Sequence, residues 1–330
     1  MFHLLLPYEL ARDLFAVVHV AVAAAVTVHA LLKKRDVRAA IGWIGLAWLS
    51  PLVGAILYYV LGINRVTRRA ARLSRGAARR KGPAAPGAPG VPEAAGSIAI
   101  VAALGERLTG GRLAPGNAVS ILRSGDEAYP EMLAAIRGAR RSIALASYIF
   151  RVDSAGRSFI DALVEALSRG VEIRVLVDGV GSGYFFSPIV RRLTREGIPV
   201  ARFLHHWMPW RMPFLNLRNH KKILVVDGAT GFTGGLNIGA ENVLALGPAN
   251  PVNDVHFRIE GPVVSQLMLT FAEDWDFTTG ELLDGDVWWP DLAPVGPMSA
   301  RGIGSGPDED IDKLEAVLAT AAAAARRRLR

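Results

Sequence analysis

Two long apolar runs open the chain, and shorter blocks of alternating character follow. Residues 14–32 contain no Asp, Glu, Lys or Arg. At about 1.5 Å per residue in a helix, that run can just cross a bilayer core of about 30 Å. Residues 41–63 form a second uncharged run, with Trp43, Trp48, Tyr58 and Tyr59 suited to headgroup level and Pro51 positioned to kink it. The first run is long for a signal peptide, no small-residue cleavage site follows it, and a second run comes after it. The pattern predicts a two-pass helical anchor; the alternative is that one run is re-entrant or interfacial.

Residues 82–96 read GPAAPGAPGVPEAAG. Proline and glycine at this density hold neither helix nor strand, so a linker is predicted, with a globular domain starting near Ser97. Beyond it, short apolar runs alternate with helical periodicity. Strands are predicted at 142–150, 171–178, 198–204, 222–227, 231–236 and 255–260, and helices at 156–169, 188–196 and 262–277. The expected fold is an α/β layered domain with a mixed central β-sheet flanked by helices. One pattern repeats. Ser124-Gly125-Asp126-Glu127 opens a helix ending in Ala139-Arg140-Arg141, and Ser305-Gly306-Pro307-Asp308-Glu309 opens another ending in Ala325-Arg326-Arg327-Arg328. This divides the chain into an anchor with its basic flank (1–81), a linker (82–96), a catalytic half (97–300) and the start of a second, truncated repeat (301–330). The competing explanation is that acidic starts and basic ends simply suit the helix dipole.

Charge narrows the setting. The formal net charge is +8, and there is no cysteine. Disulfides, thiolate metal sites and a cysteine nucleophile are thereby excluded. Arg65, Arg68, Arg69, Arg72, Arg75, Arg79, Arg80 and Lys81 follow the second apolar run directly. Such a cluster attracts anionic lipid and holds its end of the anchor in the cytoplasm; its position favours a membrane surface over nucleic acid. It outweighs Lys33, Lys34, Arg35 and Arg38 between the runs, so the main domain is expected on the cytoplasmic side.

The candidate chemistry lies in residues 219–237, NHKKILVVDGATGFTGGLN. On a strand, residues two apart share a face, so His220 and Lys222 project together. The pair Gly234-Gly235 lets backbone approach a ligand closely, and Asn237 adds an amide donor. A neutral imidazole, an ammonium and an amide suit a phosphodiester: the ring attacks phosphorus while the others hold the non-bridging oxygens.

His220-x-Lys222, four residues, Asp227, six residues, Gly234-Gly235-x-Asn237 resembles the signature of the phospholipase D superfamily. The Gly-Gly form is similar to bacterial cardiolipin synthases. So are SGDEAYPEMLAAI, the SYIF strand, RGVEIRVLVDGVGS, GFTGGLNIG, the FAEDW helix and the paired N-terminal apolar runs, so the resemblance covers essentially the whole chain. It implies a cell-membrane enzyme that joins two phosphatidylglycerols into cardiolipin and glycerol through a phosphohistidine. His220 would be the nucleophile, with Lys222, Gly235 and Asn237 around the phosphate. Asp254, in NDVHFRIE, resembles the carboxylate that hydrogen-bonds the nucleophile's other ring nitrogen, although Asn253 stands where the subfamily usually has arginine. Asp227 completes the motif's catalytic set, while its place before Gly228 suits closing a turn; Glu241 is a second candidate for orienting His220. The resemblance calls for no metal or cofactor.

It does call for two such motifs, one histidine attacking and the other protonating the leaving alcohol. Only one is present in these residues. The second half would come from a C-terminal region beyond this chain or from a second subunit. The rivals are a single-motif phosphodiesterase or nuclease acting as a homodimer, and an inactive half-enzyme. His205 and His206 lack the lysine spacing and read as an exposed loop pair. Trp207, Pro209, Trp210 and Arg211 beside them suit either bilayer contact or ordinary packing. His256 faces either the site or the core, His19 and His29 read as helix-packing histidines, and Trp288-Trp289-Pro290 as packing.

Overall fold

The computed structural model describes residues 8–34, 37–62, 97–109, 111, 113–205, 218–304 and 311–326. They fall into two units, described separately. The basic stretch 65–81 and the linker 82–96 lie outside the described residues.

In the N-terminal unit, α1 (Tyr8–Lys33) contains the first apolar run. Its Leu10–Lys33 portion is the one helix among the described residues long and apolar enough to cross a membrane. The second predicted span is not a continuous helix. α2 (Val37–Leu49) ends at Ser50, and α3 (Pro51–Leu57) passes into a π-helical turn at Tyr58–Gly62. Proline restricts the residue before it, and Ser50 accordingly leaves helical geometry at φ −147°, ψ 79°. The 13 residues of α2 extend only about 20 Å. Val26 and Ala30 pack with Ala47 and Tyr58. Two polar contacts add to this packing: His29 Nδ1 and the Tyr58 hydroxyl share a 2.7 Å hydrogen bond, and Trp48 Nε1 donates to Thr27 Oγ1 at 3.1 Å.

The second unit is an eight-stranded mixed sheet with helices on both faces. It opens with α4 (Ser97–Thr109), β1 (Ala114–Arg123), α5 (Ser124–Gly138) and β2 (Ser142–Ser147). It continues through α6 (Ser154–Ser168), β3 (Glu172–Asp178), α7 (Pro188–Arg195) and β4 (Val200–Phe203). The hairpin β5 (Ile223–Val226) and β6 (Thr230–Gly234) precedes β7 (Val255–Glu260), α8 (Val264–Thr279), β8 (Met298–Ala300) and α9 (Ile311–Ala324). Strand order is β4-β3-β2-β5-β6-β7-β1-β8. Strands β2, β3 and β4 are mutually parallel, and every other pairing is antiparallel.

β2 is buried along its whole length, and its alternation divides the core. Ile143 and Leu145 meet Met132, Ile136, Phe159 and Leu163 of α5 and α6, while Ala144 and Ala146 meet Met268, Phe271 and Trp275 of α8. Trp288 joins the α8 side, as the packing reading expects. α4, β1 and β8 are not evident from the sequence pattern. β1 starts APGN, and its register is irregular between Ala114 and Asn117. The buried Asn117 bridges that irregularity: its Nδ2 donates to Ala114 O and Met298 O, and its Oδ1 accepts from Val263 N. α9 packs on α4; the Ser305 opening of the predicted repeat lies outside the described residues.

Candidate active site

The segment 218–222 runs extended into β5, and its alternation sorts side chains to opposite sides. Asn219 Nδ2 and Lys221 Nζ both reach Asp274 on α8, at 2.9 to 3.0 Å. His220 and Lys222 converge instead on Tyr148. The His220 ring stacks on the Tyr148 ring with centroids 3.9 Å apart, and Lys222 Nζ lies 5.5 Å from the same centroid. Lys222 Nζ also donates to His220 O at 2.8 Å. Tyr148, just past the end of β2, was legible only as part of an apolar strand.

Asp178, at the end of β3, fixes the segment from beneath. It is buried, and its carboxylate accepts from Asn219 N, Val180 N and Gly181 N at 2.8 Å each. Three backbone donors compensate the desolvation of that charge. The His220 pKa lies below the ordinary histidine value, first through partial desolvation and then through Lys222, with Asp178 opposing. A neutral ring, the nucleophilic form, is therefore favoured near pH 7. The Lys222 pKa is lowered by burial, against the carboxylates of Asp254 and Asp178.

The glycine pair has a steric explanation. A Cβ on Gly235 would collide with the carboxylate of Asp254, and one on Gly234 would strike Val255 O and His256. Asp254 therefore sits directly against the Gly235 backbone, with Oδ1 accepting from Val255 N at 2.7 Å. The expected hydrogen bond from the His220 ring N–H to the Asp254 carboxylate is not made; Asp254 acts electrostatically on Lys222. Asn237 Oδ1 accepts from Ile149 N at 3.1 Å. Its NH₂ group has no hydrogen-bond partner among the described residues, which leaves a donor for a ligand. The Tyr129 hydroxyl, from α5, donates to Asn237 O at 2.6 Å and secures this loop.

Asp227 is not brought to this group. It lies at the other end of β5, where its carboxylate accepts from the backbone N–H of Arg140, Arg141 and Ser142. These contacts do not fit a place in the motif's catalytic set and suit the turn-closing position instead, closing the hairpin and joining it to the start of β2. Glu241 is engaged by Arg151 Nε at 2.6 Å. His205 is half-buried rather than exposed, and its Nε2 bonds Tyr184 O at 3.0 Å. His206, Trp207, Pro209, Trp210 and Arg211 lie outside the described residues. His256 is buried at 1% exposure beside Lys222, Ser147 and Leu236, with its pKa lowered to about 4, chiefly by burial. No group of three or more His, Cys, Asp or Glu among the described residues is arranged to hold a metal ion.

Residues 132–275 match the family model for the cardiolipin synthase, phospholipase D-like domain. The chain belongs to the phospholipase D superfamily. It is similar to cardiolipin synthase 1 of Bacillus cereus, 32% identical over 259 residues, covering 76% of this chain and 50% of that protein. It is 37% identical over 192 residues to cardiolipin synthase A of Pseudomonas fluorescens, covering 58% of this chain and 40% of that protein. The chain thus spans about half the length of the relatives it matches. Among solved structures it is similar to Nuc from Salmonella typhimurium, a phospholipase D family member, at 21% identity and a TM-score of 0.39, covering 49% of this chain and 96% of that one. Of the residues singled out by the motif, His220 and Lys222 meet at Tyr148, Asp254 lies against Gly235, and Asn237 bonds Ile149 beside that ring. Tyr148, Asp178 and Asp274 are additions that motif spacing alone does not reveal.

Proposed function

We propose that this chain supplies the nucleophilic half-site of a cardiolipin synthase-type phosphatidyltransferase, anchored in a membrane through α1. The observation that carries the reading is the convergence of His220 and Lys222 on Tyr148, next to an Asn237 amide whose NH₂ has no partner among the described residues. The names of the relatives support the lipid substrate. The neutral ring of His220 attacks the phosphorus of phosphatidylglycerol, and the bond from phosphorus to the glycerol headgroup oxygen breaks. Lys222 and Asn237 hold the non-bridging oxygens as charge builds. The departing glycerol takes its proton from a general acid in a second half-site, contributed by a further segment or another subunit. That same group then deprotonates the headgroup hydroxyl of a second phosphatidylglycerol. The hydroxyl attacks phosphorus, the P–N bond breaks, and cardiolipin leaves. The basic sequence of 65–81 supports a cytoplasmic position for the catalytic unit.

The test is product analysis in phosphatidylglycerol vesicles containing the protein. Cardiolipin and glycerol in equal amounts, both lost in His220→Ala, support the proposal. Phosphatidic acid as the sole lipid product would make the enzyme a hydrolase, and unchanged cardiolipin in His220→Ala would remove the mechanism.

A further inference from the structure

We infer that Phe185 and Phe186, together with Arg191 and Arg195, form a stiff docking element that seats the catalytic unit on an anionic lipid surface beside His220. The inference rests on the functional reading above for the identity of the substrate, though not for the docking itself. Phe185 and Phe186 are 71% and 77% exposed, the highest values among the large apolar side chains described in this unit. Adjacent rings left this open mark a contact surface more often than chance packing.

The loop that carries them is held in place. Arg202 Nη2 donates to the carbonyl oxygens of Gly179, Gly183 and Tyr184. His205 Nε2 bonds Tyr184 O, and Asp178 receives the N–H groups of Val180 and Gly181. Gly183 adopts φ +98° and lies against the Phe186 carbonyl, where a side chain would clash. The rings are thus presented by a preformed backbone, and little ordering entropy is lost when they meet a surface.

Position and charge identify the surface. Gly181 lies against the backbone and ring of Tyr148, the residue on which His220 stacks, so this loop borders the nucleophile. Immediately beyond it, α7 buries Ile189 and Leu193 and exposes Arg191, Arg192 and Arg195, of which Arg192 pairs with Glu196. Aromatic rings beside exposed guanidinium groups match the boundary between acyl chains and phosphate headgroups. Two phenylalanines offer at most about 300–500 Å², whereas a stable protein partner needs about 800 Å² per side. A lipid surface needs no such minimum patch.

The absence of cysteine permits a direct test on the full chain. Phe185→Cys, and separately Phe186→Cys, would carry one environment-sensitive fluorophore in vesicles of phosphatidylglycerol and phosphatidylcholine. Asp161→Cys on the exposed side of α6 serves as the reference. The 185 and 186 labels should be quenched by a shallow nitroxide lipid and shielded from aqueous iodide, unlike the 161 label. Arg191→Glu and Arg195→Glu should each weaken the docked population about fivefold. Iodide access equal to that of the 161 label overturns the inference. So does shielding from iodide without nitroxide quenching, which would mean that protein covers the loop. Docking is read without turnover and should survive His220→Ala. Docking without phosphatidyl transfer therefore refutes only the proposed function, and transfer without docking refutes only this inference.

Discussion

Asp227 offers a sharp test because its motif position and its contacts point in different directions. The motif groups it with His220 and Lys222; the structure gives it to the backbone. Its carboxylate accepts from Arg140 N, Arg141 N and Ser142 N at 2.8 to 3.2 Å. Its own N–H donates to Ser142 O at 2.8 Å, and it sits at φ +53° beside Gly228 at +65°. The turn closes from Ala229 N to Val226 O at 3.0 Å. Asp227→Ala removes a charged acceptor from three amides and puts alanine into left-handed geometry. Hydrogen bonds to a charged group contribute roughly 1.5–3 kcal/mol each, but these share one acceptor and remain open to water, so we expect a loss of about 2–4 kcal/mol. For a domain of this size that lowers the melting temperature by roughly 5–15 °C. Asn tolerates the left-handed turn and keeps one acceptor oxygen, so Asp227→Asn should lose about half as much. Thermal unfolding and turnover per folded molecule are the paired readouts. If Asp227→Ala melts like the parent while turnover is abolished, Asp227 acts in the chemistry and the backbone assignment is wrong.

Other substitutions probe the site itself. Gly235→Ala drives a Cβ into the Asp254 carboxylate, and should cut kcat at least about tenfold by disturbing Lys222 and the strand next to it; unchanged kcat would show that Asp254 swings away freely. Tyr148→Leu removes the ring beneath His220 and should lower kcat by about 10- to 100-fold with KM little changed, while Tyr148→Phe stays near the parent. A loss in KM alone would make Tyr148 a substrate contact rather than a positioning residue. His256, buried neutral with a pKa of about 4 against 6.5 unperturbed, lets the unfolded chain bind more protons between those values. Stability should therefore fall as pH drops from about 6.5 to 4, by at most about 3 kcal/mol. His256→Gln should flatten that part of a melting-temperature profile against pH, and a profile of unchanged slope would contradict the assignment.

The pairing of His220 with Lys222 was legible because a strand's two-residue period puts them on one face without any long-range information. The groups that hold them were not. Asp178 lies 41 residues before Asn219, and Asp274 lies 55 after it. Nothing local distinguishes those carboxylates from other polar strand and helix ends. Tyr148 reads as one more strand aromatic until the β2–β5 pairing places it beneath the imidazole. The sheet's central strands were predictable from apolar runs, whereas β1 was hidden by its opening proline and glycine and by a buried asparagine. The second apolar run shows how far hydropathy reaches: it finds the uncharged stretch, and Pro51 then divides it into pieces too short to span on their own.

The central claim is that His220 carries the phosphatidyl group. The most direct measurement is to mix membranes containing the protein with phosphatidylglycerol, quench within a turnover, and locate the adduct by peptide mass spectrometry under conditions that preserve the P–N bond. The account predicts an acid-labile phosphatidyl adduct on His220 that disappears in His220→Ala. An adduct on another residue of this chain, or active membranes in which His220 remains unmodified, would contradict it.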